Sequence, residues 1–71
     1  MYNVYSIIEG AINYEASFND IEEAIYCYTD LLHNERAMQS EGNYPGATVH
    51  LFDAHESSMT MLAESCVGPS A

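Results

Sequence analysis

The chain has 71 residues, of which eleven are Asp or Glu and one is Arg, and its formal net charge is −10 with neutral histidines. A chain of this length forms one small domain and buries only about 60% of the surface that its unfolded form exposes, so a deep catalytic cleft within one copy is not expected. Phosphate binding requires Lys or Arg, and Arg36 is the only such residue. The composition therefore argues against direct binding to DNA, RNA or an anionic membrane.

The charge imbalance comes from missing basic residues. Charged residues make up 17% of the chain, against about 25% in ordinary domains, so acids are not in unusual excess. Apolar residues make up 48%, which is enough to form a core and argues against a disordered polyelectrolyte. A partner that is itself a polyanion is disfavoured.

Localisation and redox state follow from what the sequence lacks. It shows no basic segment followed by an apolar secretory signal, and no apolar stretch of about 20 residues that would span a membrane. We therefore expect a soluble, cytoplasmic protein. Cys27 and Cys66 are far apart and have no paired spacing, so reduced thiols are expected rather than a disulfide.

The first predicted elements form a β-hairpin. Segment 2–9 is rich in β-forming residues, 10–11 offers a turn, and 12–18 alternates apolar and polar residues. In the second strand the alternation predicts four inward residues and a solvated Glu15. The inward residues are Ile12, Tyr14, Ala16 and Phe18. The inner face of the first strand is left open by its pattern.

A helix is predicted next. Asn19 or Asp20 can cap its first turn, where acidic residues also interact well with the helix dipole. Apolar residues then recur at helical spacing and predict a stripe that covers a sheet. They are Ile21, Ala24, Ile25, Tyr28, Leu31 and Leu32. The helix is expected to end near residue 37 or 38, and segment 39–46, with two glycines and a proline, is the predicted loop.

The C-terminal part is predicted as a strand over 47–53, a turn over 54–58 and a last element over 59–65. That last element is either a strand or a short helix capped by Ser57 or Ser58. The predicted fold class is α+β, a small antiparallel sheet in the order β-β-α-β-β with one helix packed on one face. Residues 1–66 form the predicted domain, and 67–71 form a flexible tail.

The outer face of the helix holds the main candidate site. Glu22, Glu23, Tyr26, Asp30 and His33 cluster opposite the apolar stripe. Acidic helix faces are usually only solvated, but this one has no lysines at i,i+4 to neutralise it and carries an exposed aromatic residue. Arg or Lys side chains can pair with such acids and stack on the ring. The pattern therefore favours a protein partner with a basic surface.

The spacing of these acids allows them to substitute for phosphates. Glu23 and Asp30 are about 10.5 Å apart along the axis, close to three phosphate steps of about 3.4 Å each. Glu15 on the hairpin is a further candidate for partner binding, and other acids extend the negative surface. These are Glu9, Glu41, Asp53 and Glu56. Tyr44 is either an exposed loop anchor for the partner or a residue that completes the core.

Catalytic and metal sites are not predicted. His50, Asp53 and His55 are close in sequence, with His33 and Cys27 on the helix, but their spacing fits no metal motif. The chain has no nucleophile elbow, no Cys and His at suitable helical spacing, and no Gly-rich phosphate loop. We expect no enzyme activity, metal or cofactor.

The size, acidity and near absence of basic residues, together with a hairpin that leads into the helix start Asn19-Asp20-Ile21-Glu22-Glu23-Ala24-Ile25, resemble the small phage-encoded inhibitors. That class includes anti-CRISPR proteins, DNA-mimicking anti-restriction proteins and inhibitors of host RNA polymerase. The resemblance implies a stoichiometric blocker without catalysis. We expect a protein that binds the basic nucleic-acid-binding groove of a host protein. The alternative is an adaptor or oligomerisation domain, in which the acids serve solubility and a sheet edge or exposed aromatic residues form a homodimer.

Overall fold

The computed structural model describes residues 1–55 and 57–70. The elements are β1 (Tyr2–Ile8), β2 (Ala11–Phe18), α1 (Ile21–Glu41), β3 (Ala47–His55) and β4 (Ser58–Val67). This order confirms the predicted α+β class and decides that the last element is a strand. Pairing with β3 along most of its length overrides the helix propensity of that segment. Glu56, from the predicted turn, and Ala71, from the predicted tail, lie outside the described residues.

The four strands form one antiparallel sheet in the order β2-β1-β3-β4. The two central strands, β1 and β3, are therefore neighbours in the sheet, although β2 and α1 lie between them in the sequence. β2 and β4 form the two edges of the sheet. α1 packs on one face of the sheet, and the opposite face carries no element among the described residues.

The core lies between α1 and the two central strands. Its buried apolar residues come from all parts of the chain except β2. They are Val4, Ala24, Leu32, Tyr44, Ala47, Val49, Leu51 and Val67. Val4 and the buried Ser6 show that the even-numbered residues of β1 face the helix.

Strand β2 differs from its prediction. Ser6 pairs with Tyr14 and Ile7 pairs with Ile12, so Asn13 is an extra residue at a bulge. The bulge places Ile12 on the side of Ile7, away from the helix, and Ile12 is 60% exposed. Tyr14 lies on the helix side but remains 44% exposed, because α1 covers this edge only in part. The predicted burial of both residues is wrong. The other two predicted inward residues, Ala16 and Phe18, are half-buried.

The helix begins with Asp20 as its N-cap, since the Asp20 carboxylate accepts a hydrogen bond from the Glu22 amide at 3.1 Å. α1 continues to Glu41, three or four residues beyond the predicted end. Across residues 1–55 and 57–70, no helix combines the length and the apolar character needed to cross a bilayer.

The buried face of α1 is rotated from the predicted stripe. Its fully packed residues are Ala24, Leu32 and Glu35, whereas Ile21 and Ile25 are 40% and 46% exposed. The inward prediction for these two isoleucines is wrong, because Ala24 between them is fully buried and the rotation leaves both isoleucines on the flank of the buried face.

The C-terminal residues are attached to the end of α1 and to the loop after it. Val67 is buried in β4, the Gln39 side-chain amide donates to the Gly68 carbonyl at 2.9 Å, and the Ser70 hydroxyl donates to the Gln39 carbonyl at 2.7 Å. The Ser70 amide also donates to the Tyr44 carbonyl at 2.9 Å. The predicted boundary at residue 66 therefore falls inside β4, which runs to Val67. The flexibility expected of the tail stays a prediction.

Candidate partner-binding site

The outer face of α1 exposes the predicted acidic cluster. Glu22, Glu23, Tyr26 and Asp30 are all exposed, and Tyr26 is 75% exposed. At about 100° per residue, these four side chains span an arc of about 100° around the helix. The Asp20 cap fixes the start of the helix and thereby sets the direction of the two first-turn acids. The helix therefore brings four of the six predicted site residues onto one surface.

A groove between α1 and the β2 edge runs beside this surface. It has a volume of about 430 Å³ and combines half-buried apolar residues with carboxylates. Its lining residues are Tyr14, Phe18, Glu23, Cys27, Asp30, Leu31 and Asn34. The groove exists because α1 covers β2 only in part, which leaves Tyr14 and Phe18 incompletely covered.

The charge of the groove comes from its two carboxylates. The pKa of Tyr14 is raised chiefly by the negative charge that Cys27 acquires on deprotonation, with a hydrogen bond to Cys27 and burial adding to the effect. Burial is the main cause that raises the pKa of Cys27. Both side chains are therefore uncharged near neutral pH, and Glu23 and Asp30 give the groove its negative charge.

A second, smaller hollow lies on the other side of the acidic surface. It has a volume of about 260 Å³ and is lined by Glu22, Ile25, Tyr26 and Thr29. The exposed flank of Ile25 continues the apolar area of the Tyr26 ring. The sequence pattern missed Ile25 as a surface residue because its spacing also fits the apolar stripe.

Glu15 is separate from the acidic helix face. It pairs across the strands with Tyr5, which in turn pairs with His50. The Tyr5 ring contacts Phe52 with centroids 5.8 Å apart, on the face of the sheet opposite α1. Glu15 therefore does not join the surface formed by Glu22, Tyr26 and Asp30.

Tyr44 is a core residue and does not serve as an exposed anchor for a partner. It is 6% exposed, and its hydroxyl donates to the Glu35 carboxylate at 2.5 Å. Ser6 donates to the other oxygen of that carboxylate at 3.4 Å. Burial is the main cause that raises the pKa of Tyr44, and the hydrogen bond to Glu35 and its charge act in the same direction. Of the two predicted alternatives, the structure shows the one in which Tyr44 completes the core.

Glu35 was not identified from the sequence. It is 2% exposed, which is rare for a carboxylate that lacks a basic partner. The available signal was its position, since residue 35 continues the helical spacing of Ala24, Tyr28 and Leu31. An acid at that position requires donors from elsewhere in the fold, and here they come from β1 and the loop before β3.

The candidate metal ligands do not converge. His50 stacks on Phe52 at 5.7 Å on the open face of the sheet, and its Nδ1 lies 3.3 Å from Glu64 Oε2 without the alignment of a hydrogen bond. Over residues 1–55 and 57–70, no three His, Cys, Asp or Glu side chains come together in an arrangement that would hold a metal ion.

The acidic helix face is suited to contact a long cationic side chain. The groove offers apolar surface for methylene groups and two carboxylates for an ammonium or guanidinium group. The chain matches no protein-family model, and no curated protein or solved structure shows significant similarity to it. Its function must therefore be inferred from its own surface.

Proposed function

We propose that this protein is a non-catalytic inhibitor that places the outer face of α1 on the basic nucleic-acid-binding surface of another protein, in the cytoplasm of the cell that contains that protein. The observation that carries the proposal is the 75% exposed ring of Tyr26 among the exposed carboxylates of Glu22, Glu23 and Asp30. In this proposal the protein acts like the small phage-encoded inhibitors. While it occupies the basic surface of its partner, the nucleic acid that normally binds that surface is excluded.

The groove beside α1 supports a partner that is rich in Arg or Lys. An Arg side chain can lay its methylene groups on Phe18 and Leu31 while its guanidinium group pairs with Glu23 or Asp30. The Tyr14 ring, 44% exposed at the same groove, offers a further surface for the cation.

Affinity and rate have different origins in this proposal. Exposed ion pairs contribute only about 0–1 kcal/mol each, so the carboxylates mainly accelerate association and select basic partners. Tyr26 and the flank of Ile25 supply the apolar contact area, which becomes desolvated in the complex. Binding should therefore weaken as salt concentration rises, and it should also weaken when the Tyr26 ring is removed.

The experiment begins with capture of partners from lysate of the source cells at about 0.1 M and about 0.5 M NaCl, conditions that separate screened from unscreened contacts. The captured protein is then titrated with its nucleic acid in the presence of increasing amounts of the chain. We expect the triple variant Glu22→Gln, Glu23→Gln, Asp30→Asn to bind the partner about tenfold more weakly or worse.

The matched control removes the same number of charges elsewhere, in the triple variant Glu9→Gln, Glu41→Gln, Glu64→Gln. We expect this control to change affinity by less than about threefold, because it alters the net charge without altering the contact surface. Equal losses in the two triple variants would mean that only net charge matters, as expected if the acids serve solubility in an adaptor or oligomerisation domain. Parental binding by the helix variant would overturn the proposal.

A further inference from the structure

The face of the sheet opposite α1 carries a continuous apolar stripe. It runs diagonally from β2, across β1 and β3, to β4, because cross-strand partners lie on the same face of a sheet. Its members in order are Ile12, Ile7, Tyr5, Phe52, Met61 and Met59. We call this row of side chains the open-face stripe.

The open-face stripe is long and uncovered. It crosses the four strands, three spacings of about 4.8 Å, and advances from the level of Thr48 to that of Ala54 at about 3.4 Å per residue, which gives a length of about 25 Å. Its ends are the most exposed, with Ile12 at 60%, Met61 at 47% and Met59 at 51%. No element among the described residues packs on this face. A continuous exposed apolar area of this kind marks a contact surface.

One carboxylate flanks the open-face stripe on each side. Glu15, Tyr5, His50 and Glu64 form one row across the four strands, and Tyr5 is the member of that row that belongs to the stripe. Glu15 on β2 and Glu64 on β4 therefore lie about 14 Å apart with the stripe between them. Both are exposed, and this face has no Lys or Arg, since Arg36 is on α1.

We propose that this face binds an amphipathic α-helix of a partner protein, with apolar residues on the open-face stripe and Lys or Arg along both flanks. An element that covers apolar surface must satisfy its own backbone hydrogen bonds, and a helix does so internally. A helix about 10–12 Å in diameter fits between two carboxylates about 14 Å apart, and about 16 residues match the 25 Å stripe. Long cationic side chains on its two flanks then reach Glu15 and Glu64.

Charge complementarity selects this occupant over a second copy of the chain. Each copy carries a net charge of −10, and its own open face offers Glu15 and Glu64 with no Lys or Arg to pair with them. Two such faces in contact would bring like charges together, whereas a helix with basic flanks lowers the self-repulsion of the chain.

This surface is separate from the acidic helix face. The sheet lies between the open-face stripe and α1, which carries Tyr26, so one contact does not require the other. The inference therefore stands or falls independently of the proposed inhibition.

The probe is a synthetic peptide of about 16 residues made of Leu, Ala and Lys, with Leu along one helical face and Lys on both flanks. It is titrated into the full chain by calorimetry and by NMR. We expect one peptide per chain, with the largest shifts at the ring signals of Tyr5 and Phe52 rather than Tyr26. A peptide with Glu in place of every Lys should bind at least about tenfold more weakly, because its flanks repel the two carboxylates.

The first variant interrupts the apolar stripe at two exposed positions, with Ile12→Gln and Met61→Gln combined. It should weaken peptide binding about tenfold or more, because the contact loses buried apolar area at both ends. The matched control combines Ile21→Gln and Met38→Gln, which removes one exposed isoleucine and one exposed methionine from α1. It should change affinity by less than about threefold.

The second variant removes the flanking charges, with Glu15→Gln and Glu64→Gln combined. It should weaken binding by about threefold to tenfold, whereas Glu9→Gln with Glu41→Gln, which removes the same net charge elsewhere, should change it by less than about twofold. Equal losses in a variant and its control, shifts centred on Tyr26, equal binding of the Glu peptide, or self-association of the chain through the open face would each overturn the proposal.

Discussion

Glu35 is the residue on which the interior depends most. Its carboxylate is 2% exposed and accepts hydrogen bonds from Tyr44 and Ser6, so three separate segments meet at one buried acid. A buried acceptor that loses its donor retains the full cost of leaving water. The network therefore holds the loop before β3 in one arrangement.

Tyr44→Phe tests this network. It leaves one Glu35 oxygen without its phenolic donor and should lower the free energy of unfolding by about 1–3 kcal/mol, as measured by denaturant titration near pH 7. The matched control is Tyr26→Phe at the 75% exposed position, which should change stability by less than about 0.5 kcal/mol. Equal stability of the two variants would show that the buried contact contributes nothing.

The same variant has a pH signature. The pKa of Tyr44 is raised above its ordinary value of 10.0, so the stabilisation is fully present below pH 10. Above that pH the unfolded chain loses the phenolic proton first, and the parent loses stability as pH rises towards the folded pKa. Tyr44→Phe lacks this group, so the stability difference between parent and variant should narrow above pH 10. A constant difference would contradict the raised pKa.

At the scale of elements, the start of α1 depends on one side chain. Asn19 and Asp20 are both suitable caps by sequence, and only Asp20 accepts the Glu22 amide. Because the helix also positions the acidic surface, its cap affects both stability and binding.

Asp20→Ala should lower the free energy of unfolding by about 1 kcal/mol, because the first-turn amide loses its acceptor. Asn19→Ala, one residue earlier, should change it by less than about 0.5 kcal/mol. Thermal or denaturant unfolding of the two variants side by side gives the comparison. If Asn19→Ala proves the more harmful, the cap is misassigned.

The element order could be predicted because its signals are local. Alternation in β2, the Asp20 cap, the helical spacing after it and the Gly and Pro residues of the loop each lie within a few residues of what they determine. Which residues are buried depends instead on contacts with parts of the chain that are distant in sequence. Ile12 and Ile25 have the spacing of core residues, but the bulge in β2 places Ile12 on the face opposite α1, and the rotation of α1 leaves Ile25 on its exposed flank.

The site could be predicted only in part for the same reason. The outer helix face follows from period alone, so Glu22, Glu23, Tyr26 and Asp30 are found together. Predicting the groove would require the distance between β2 and α1. The burial of Tyr44 and Glu35 depends on how the loop before β3 folds under the helix. No local pattern contains that information.

The whole molecule concentrates its charge in a small volume. Its extents are 40 × 22 × 15 Å, so many carboxylates lie within about one Debye length, about 10 Å at 0.1 M salt, of one another. In the part of the chain that the structure describes, the one contact within ion-pair distance is His50 with Glu64. Folding must therefore overcome self-repulsion.

Salt should stabilise the fold. We expect the melting temperature to rise by several degrees between about 0.02 M and about 0.5 M NaCl, with most of the gain below about 0.2 M, where the Debye length shortens fastest. KCl should act equally, since screening does not depend on the cation. The variant lacking the charges of Glu22, Glu23 and Asp30 should gain less, and a melting temperature insensitive to salt would contradict strong self-repulsion.

The junction between β1 and β3 has a consequence for how the chain reaches its native state. Each hairpin, β1 with β2 and β3 with β4, closes over a short turn, but Val4 pairs with Leu51 across 47 positions of sequence. Closing that long loop costs entropy before core contacts form to offset it. We therefore expect the two hairpins to form first and their docking to set the refolding rate. Val4 and Val49 are fully buried only in the docked sheet, so we expect the chain to be most vulnerable to proteolysis and aggregation before the hairpins dock.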